Sequence, residues 1–233
     1  MPTSPDRRRE TPILSKKYRA VLFDYDGTLI DTNRLIVDSW NHMYREYCGG
    51  TLTDDDVKWT FGIPLREGVD RVMKIKGHSG YDLDELIKSY RTFQTFAWAT
   101  EAKLFEGIPE VLKALKEKGA RLGIVTSRQE KSCIEGLKMH GIYDLFEALV
   151  TAESTDIHKP RPEPALICLR QLGIEPSDAV MVGDSVFDLQ CGNNAGCDSC
   201  FVTWSFATTL EKALAEGHPT IVVKSPGELA DLA

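Results

Sequence analysis

The stretch AVLFDYDGTLIDT, residues 20–32, decides the fold of this chain. Its first four residues, Ala20–Phe23, are apolar without polar alternation, which predicts a β-strand covered on both faces. Two carboxylates, Asp24 and Asp26, follow directly, and Gly27 can turn the chain sharply after them. Ligands in parallel α/β sheets bind outside the carboxyl ends of the strands. The stretch therefore predicts the first strand of such a sheet and a binding site at its end.

The rest of the chain repeats this alternation of apolar runs and amphipathic stretches. Helical spacing over 108–118, 131–140 and 163–172 ends each time at or before a glycine, which is a common helix stop. Strand–helix alternation predicts an α/β fold with a doubly wound, Rossmann-like parallel sheet. The predicted further strands are Leu122–Val125, Ala148–Val150, Ala179–Val182, Cys200–Thr203 and Ile221–Val223.

One interval breaks this rhythm, because about a hundred mostly helical residues separate the first two strands, whereas a crossover needs only about a dozen. We therefore predict an inserted helical cap domain over 33–103. The α/β core is predicted to comprise 19–32 and 104–233, and 1–18 to form a disordered tail. Hinges for opening and closing the cap are expected near 31–33 and 103–107.

Composition excludes several classes of function. The chain has 233 residues and a net charge of −7, and such an acidic chain lacks the basic surface that nucleic acids require. No apolar segment reaches the roughly 18 residues of a membrane span. The six cysteines show no disulfide framework, and Cys197 and Cys200 form an isolated C-x-x-C without a second pair for zinc. We expect a cytoplasmic protein, a monomer or weak homodimer, that binds neither nucleic acid nor membrane.

Carboxylates at the ends of two predicted strands indicate a metal site. Asp24, Asp26 and Asp184 would meet at one edge of the sheet, where their charges repel unless a cation lies between them. A ligand set of oxygen atoms without histidine or cysteine favours Mg²⁺. We therefore expect Mg²⁺ as the cofactor.

Other strand ends supply groups that bind an anion. Thr126 and Ser127 follow the second strand, where hydroxyls and helix amides can hold a phosphate. Lys159 adds a positive charge, and the run KPRPEP around it restricts the backbone. Together with carboxylates and magnesium, these groups describe phosphoryl transfer, which depends on positioning and charge neutralisation.

Four motifs carry a resemblance to the haloacid dehalogenase superfamily. They are DYDGT at 24–28, TS at 126–127, KP at 159–160 and GDSVFD at 183–188. The predicted cap, and the stretch LGIVTSRQEKSCIEGLKMHGI at 122–142, resemble the subgroup that contains phosphoglycolate phosphatase and a bacterial inorganic pyrophosphatase. The chain departs from the common pattern at Tyr25 and in Thr126-Ser127-Arg128.

The resemblance implies a role for each site residue. Asp24 would be the nucleophile and Asp26 the general acid and base. Gly27, Thr126 and Ser127 would bind the phosphoryl group, and Lys159 would both bind it and balance its charge. The implied Mg²⁺ ligands are Asp24, the main-chain carbonyl of Asp26, Asp184 and, directly or through an intermediary, Asp188.

The substrate is expected to be small and phosphorylated, and Arg66 in the predicted cap loop 62–67 to bind a second anionic group on it. The leading hypothesis is a Mg²⁺-dependent phosphatase of the phosphoglycolate phosphatase type. Inorganic pyrophosphatase is the alternative. A phosphomutase resembling β-phosphoglucomutase, or a non-catalytic phosphate-binding module, remain further possibilities.

Overall fold

The structure is a computed structural model that describes residues 16–233, and its centre is a six-stranded parallel sheet. The strand order is β5-β4-β1-β6-β7-β8, so β1 has β4 and β6 as neighbours. Side chains that follow these three strands therefore meet at one edge of the sheet. The strands are β1 (Ala20–Phe23), β2 (Ile30–Asp31), β3 (Lys103–Leu104), β4 (Arg121–Val125), β5 (Ala148–Val150), β6 (Ala179–Gly183), β7 (Asp198–Val202) and β8 (Ile221–Val223).

Helices cover both faces of the sheet, which confirms the predicted doubly wound α/β fold. Val21 and Phe23 belong to the hydrophobic cluster on one face, and Ala20 and Leu22 to the cluster on the other, since alternate residues of a strand point to opposite faces. The helices are α1 (Asn33–Cys48), α2 (Asp54–Val57), α3 (Leu65–Ile75), α4 (Leu83–Glu101), α5 (Ile108–Glu117), α6 (Glu130–Met139), α7 (Glu163–Leu172), α8 (Val186–Ala195) and α9 (Leu210–Lys212).

Helices α1–α4 form a layer with a hydrophobic cluster of its own. Trp40 and Met43 of α1 pack there with residues of α3 and α4, such as Val69 and Leu86. The spacing of apolar residues in the sequence anticipated α1 and α4 to within two residues at each end. A separate cluster supports treating 33–103 as a cap domain, a division that stays a prediction.

The two connections between this helical layer and the sheet lie side by side. Strands β2 and β3 pair antiparallel, with Ile30 opposite Leu104 and Asp31 opposite Lys103. Strands of two residues are too short to leave a periodic pattern, so the sequence did not predict this ribbon. It occupies the segments where the hinges were expected.

Tyr18 corrects the predicted tail. Its side chain is buried, its hydroxyl donates to Asp198 at 2.8 Å and its amide donates to the carbonyl of Leu232 at 2.8 Å. An aromatic ring next to the first strand thus packs against the sheet instead of remaining in a disordered tail. Residues 1–15 of the predicted tail lie outside the described residues.

Two observations bear on the predictions from composition. All six cysteines have free thiols, and Cys197 and Cys200 are both buried at the start of β7. Across residues 16–233, each helix is either too short or too polar to cross a lipid bilayer.

Candidate active site

A buried network of charges lies at the carboxyl ends of β1, β4 and β6. The Nζ of Lys159 donates to Asp24 Oδ1 at 2.9 Å, to Asp188 Oδ1 at 2.6 Å and to the carbonyl of Val125 at 3.4 Å. The lysine side chain is 2% exposed, and the side chains of Asp24 and Asp188 are 5% and 0% exposed. Three segments that are far apart in the sequence therefore hold one another through these hydrogen bonds.

The pKa values in this network follow from burial and repulsion. Burial raises the pKa of Asp24 to about 7, and the carboxylate of Asp188 adds to the rise while Lys159 opposes it. Burial, with Asp188 and Asp24, likewise raises the pKa of Asp184 well above its usual range. Burial acts to lower the pKa of Lys159, but the two carboxylates outweigh it and raise that pKa. The lysine is therefore charged, and the carboxylates exceed the positive charge available among these four groups.

The excess of buried carboxylates fits a cation. Ligand atoms of Asp24, Asp184 and Asp188 all lie within 4.8 Å of one another, and the three residues are buried. A hard cation such as Mg²⁺ prefers carboxylate oxygens and would lower the cost of placing these charges together. The side chain of Asp26 lies outside this group. Its predicted contribution through the main-chain carbonyl stays a prediction.

Asp188 has both of its oxygens engaged by the protein. Oδ1 accepts from Lys159, and Oδ2 accepts from the amide of Ser185 at 3.0 Å and from its hydroxyl at 2.5 Å. The Ser185 hydroxyl in turn accepts from the Asp188 amide, which forms a capping box at the start of α8. Asp188 therefore joins the start of α8 to Lys159.

Gly27 makes the turn that brings the loop after β1 over Asp184. Its φ is +76°, and a Cβ at this position would lie 2.1 Å from Asp184 Oδ2. Only glycine combines this backbone conformation with such a close approach. The hydroxyl of Thr28 lies 3.5 Å from Asp184 Oδ1. The loop thus packs on the carboxylate through main chain and a short hydroxyl.

Asp26 points to a different set of partners from Asp24. Its Oδ1 accepts from the hydroxyl of Thr32 at 2.7 Å and from the guanidinium of Arg128 at 3.0 Å. Asp26 and Asp24 nevertheless line the same cavity. The two carboxylates that are adjacent in the sequence are therefore separated by function: one is tied to Lys159, and the other to Arg128.

Thr126 and Ser127 lie where the sequence predicted, at the end of β4. The hydroxyl of Thr126 accepts from the amide of Arg128 at 3.1 Å, and the hydroxyl of Ser127 donates to the carbonyl of Gly62 at 2.7 Å. Gly62 belongs to the loop before α3, so Ser127 links the core to the helical layer. Gly62 has a φ of +91°, and a Cβ there would lie 2.8 Å from Ser185 Oγ. This loop therefore lies directly against the site.

The cavity above the carboxylates has a volume of about 370 Å³ and is lined by both layers. Arg66 is among its lining residues, although its guanidinium also pairs with Asp84 on the exposed surface. The predicted cap loop was placed at 62–67, but α3 begins at Leu65, so Arg66 stands on the first turn of a helix. Apolar residues from the helical layer, such as Ile36, Trp40 and Leu65, line the same space.

Several residues around the cavity were not predicted from the sequence. Arg91 and His158 line it, and Arg128 does so beside Asp26. The segment after β7 is also close: Trp204 Nε1 donates to the carbonyl of Thr28 at 3.1 Å, and Ser205 Oγ lies 3.1 Å from Oδ1 of Asn33. Arg128 could have been found, since it lies two residues after Thr126. The others follow no spacing that a sequence alone would reveal.

Comparison with known proteins gives a consistent family. The profile of the haloacid dehalogenase-like hydrolase family matches residues 21–202. The chain is 39% identical to the pyrophosphatase PpaX of Bacillus velezensis, over 82% of this chain and 85% of that protein. It is 35% identical to the pyrophosphatase PpaX of Bacillus pumilus, over 90% of this chain and 93% of the relative.

The fold is shared with solved structures. A predicted phosphoglycolate phosphatase from Haemophilus somnus superposes with a TM-score of 0.81, covering 92% of this chain and 97% of the other. The sequences are 22% identical, so this likeness concerns the fold alone.

Proposed function

This chain belongs to the haloacid dehalogenase-like hydrolase family, and from that premise we propose that it is a Mg²⁺-dependent phosphatase with Asp24 as nucleophile. The observation that carries the proposal is the buried network in which Lys159 donates to Asp24, with Asp184 and Asp188 beside it. A carboxylate in reach of a fixed ammonium group can attack a phosphoryl group whose charge the same ammonium balances.

The proposed reaction has two steps, and both use Asp26 for proton transfer. In the first, an oxygen of Asp24 bonds to phosphorus, the bond from phosphorus to the leaving oxygen breaks, and Asp26 gives that oxygen a proton. In the second, a water bonds to phosphorus, Asp26 takes a proton from the water, and the bond to Asp24 breaks. Phosphate leaves, and both carboxyl groups return to their starting states.

The metal would be held by Asp24 and Asp184, together with the main-chain carbonyl of Asp26. When bound, Mg²⁺ would supply positive charge that reduces repulsion between the carboxylate and the phosphoryl oxygens. Since Lys159 and Ser185 engage both oxygens of Asp188, we assign Asp188 to orienting the lysine. Thr126, Ser127 and Gly27 remain the proposed phosphoryl-binding residues, with Lys159.

Inorganic pyrophosphate is the substrate that we propose first. Relatives at 39% and 35% identity carry the name pyrophosphatase, and a second phosphate would find Arg66, Arg91 and His158 around the cavity. The sequence had favoured a phosphoglycolate phosphatase type and kept pyrophosphatase as the alternative. The order is reversed here because a curated relative is closer to this chain than any specificity motif in the cap.

A small organic phosphate is the second candidate. The cavity is partly lined by Ile36, Trp40 and Leu65, and apolar walls give nothing to pyrophosphate but can contact a carbon skeleton.

Phosphate release with Mg²⁺ from pyrophosphate and from a panel of phosphomonoesters, including phosphoglycolate and aryl phosphates, separates the two candidates. We expect the highest kcat/KM with pyrophosphate. A monoester that exceeds pyrophosphate would select the second candidate, and no hydrolysis of any phosphate compound would refute the phosphatase.

Arg66 and Arg91 test the second-phosphate contact. Arg91→Gln and Arg66→Gln are each expected to raise KM for pyrophosphate roughly 3–10-fold, the value of one partly exposed charged contact. They should change KM much less for a monoester without a second charge. Arg45→Gln, an exposed arginine in the last turn of α1, is the matched control.

A further inference from the structure

Arg128 is a buried cation whose position the proposed reaction does not yet explain. Its side chain is 7% exposed, and its guanidinium donates to Oδ1 of Asp26 at 3.0 Å. Burial acts to lower the pKa of Arg128, but Asp26 and the neighbouring aromatic hydroxyl outweigh this effect and the pKa is raised. The arginine is therefore a permanent charge at the proposed acid–base group.

Two aromatic rings hold the guanidinium. Its carbon lies 4.0 Å from the ring centre of Trp98 and 5.3 Å from that of Tyr25. The two rings stack on each other with centres 6.3 Å apart and an angle of 19°. Trp98 belongs to the last turns of α4, so the helical layer contributes one wall of this arrangement. Desolvated cation–π contacts of this kind stabilise an arginine in one orientation.

Tyr25 thereby gains a role that the sequence left open. It follows the nucleophile directly and is fully buried, and Gly136 of α6 leaves room for its hydroxyl, because a Cβ there would lie 1.9 Å from that oxygen. The position thus favours a large flat ring under Arg128.

The hydrogen bonds divide the carboxyl group of Asp26. Thr32 and Arg128 both donate to Oδ1, while within residues 16–233 no protein donor reaches Oδ2. Asp26 lines the cavity. An acid–base group needs one oxygen held and the other directed at the reacting atoms, which is the arrangement that these contacts leave.

We propose that Arg128 is a positioning residue that fixes Asp26 for proton transfer, and that Trp98 of the helical layer holds Arg128 in place. The proposal rests on the function proposed for Asp26. Proton transfer through Oδ2 then requires the helical layer to be seated, because Trp98 leaves Arg128 if α4 moves away. Arginine suits this position better than lysine, since its planar group can stack and donate at once.

The test compares two substrates of similar shape and different leaving-group acidity. Phenyl phosphate releases a phenol with a pKa near 10, so its cleavage depends on protonation by Asp26. The phenol released from p-nitrophenyl phosphate is more acidic and depends on it less. We measure kcat/KM, which reports the steps up to phosphoenzyme formation, for both substrates with wild type, Arg128→Lys, Arg128→Ala and Trp98→Leu.

We expect Arg128→Ala to lower kcat/KM for phenyl phosphate by roughly 30–100-fold, part of the 10²–10⁴-fold that acid–base catalysis supplies. The loss for p-nitrophenyl phosphate should be at least about fivefold smaller. Arg128→Lys and Trp98→Leu should show the same selectivity with smaller losses. In an Asp26→Asn background, Arg128→Ala should have little further effect on the ratio. Equal losses for both substrates, or an unchanged effect in the Asp26→Asn background, would overturn the proposal.

The chain contains a matched control pair. Arg71 lies over the ring of Trp59 at 5.0 Å on the outer part of the helical layer, so Arg71→Lys and Trp59→Leu remove the same kind of contact away from Asp26. These variants should leave the substrate ratio unchanged.

A crystal structure of Arg128→Lys provides a second measurement that needs no turnover. The Asp26 carboxyl group should leave the orientation described above, and an unchanged orientation would contradict the proposal. Wild-type activity that survives Asp24→Asn would instead refute the proposed function, so the two failures are distinguishable.

Discussion

The floor of the cavity and its outer wall are built in opposite ways. The floor consists of Asp24, Lys159, Asp184 and Asp188, all buried and joined across strand ends. On the outer wall Arg66 has a side chain that is 61% exposed, and it pairs with Asp84, which is 78% exposed. Buried charges have few alternative arrangements, whereas exposed pairs contribute little and can exchange partners. The floor is thus suited to one reaction, and the wall to adjusting which substrate reaches it.

Removing the nucleophile is the most severe way to break the floor. Asp24→Asn keeps the size of the side chain and should lower hydrolysis at least about 10³-fold, because no other carboxylate takes its position. Phosphate release under saturating substrate measures the effect. Asp144→Asn, on an exposed aspartate remote from the cavity, should retain full activity. Comparable activity in the two variants would show that Asp24 is not the nucleophile.

Removing the cation from the floor should affect both activity and folding. Lys159→Met leaves Asp24 and Asp188 without their partner, and breaking a buried ion pair costs about 3–5 kcal/mol. At about 2–4 °C per kcal/mol for a chain of this size, Tm should fall by roughly 6–20 °C. Activity should fall roughly 100-fold.

Thermal unfolding and kinetics of the folded fraction measure these effects. Lys131→Met, at an exposed position of α6, is the control. A stable and active Lys159→Met protein would contradict the role given to the network.

Pushing the wall away from the floor should have a smaller effect. Gly62→Ala would place a Cβ 2.8 Å from Ser185 Oγ and disfavour a φ of +91°. We expect kcat/KM to fall about tenfold, because the loop and its bond to Ser127 must shift. Gly77→Ala is a matched control, with a φ of +81° and no atom within 4 Å of the added carbon. Equal losses in both variants would mean that backbone strain, and not the contact with the core, is responsible.

The pH dependence of stability sharpens the description of the floor and carries the smallest effect. The pKa of Asp24 is about 7 in the folded protein and near 3.9 when unfolded. The folded state therefore favours the protonated carboxyl, and this contribution to stability is lost as pH rises from about 4 through about 7.

Mg²⁺ should replace the proton, so its stabilising effect is expected to grow with pH. The rise in Tm on adding Mg²⁺ should be a few °C larger at pH 8 than at pH 5, since 1 kcal/mol corresponds to about 2–4 °C. Thermal unfolding in Mg²⁺ and in a chelator at each pH measures it, with Asp24→Asn as the control that should reduce the difference. The same rise in Tm at both pH values would argue against metal binding at this carboxylate.

The sequence alone predicted the sheet because its strands are continuous apolar runs between amphipathic helices. It also placed Asp24, Thr126, Lys159 and Asp184 at one edge, since parallel strands bring their carboxyl ends together. It did not predict β2 and β3, whose two-residue length carries no periodicity. It extended the tail to Tyr18, because a single aromatic residue outside a pattern does not reveal its packing.

What the sequence determined by itself is the order of the elements and the set of groups delivered to one edge of the sheet. Both depend on local spacing and on a general rule of strand geometry. Only the tertiary structure decided which groups pair: that Asp188 engages Lys159, and that Asp26 engages Arg128 under Trp98. These partners are separated by 29 and 102 residues along the chain. Such pairing depends on how the layers pack and which charges become buried, and no local pattern encodes it.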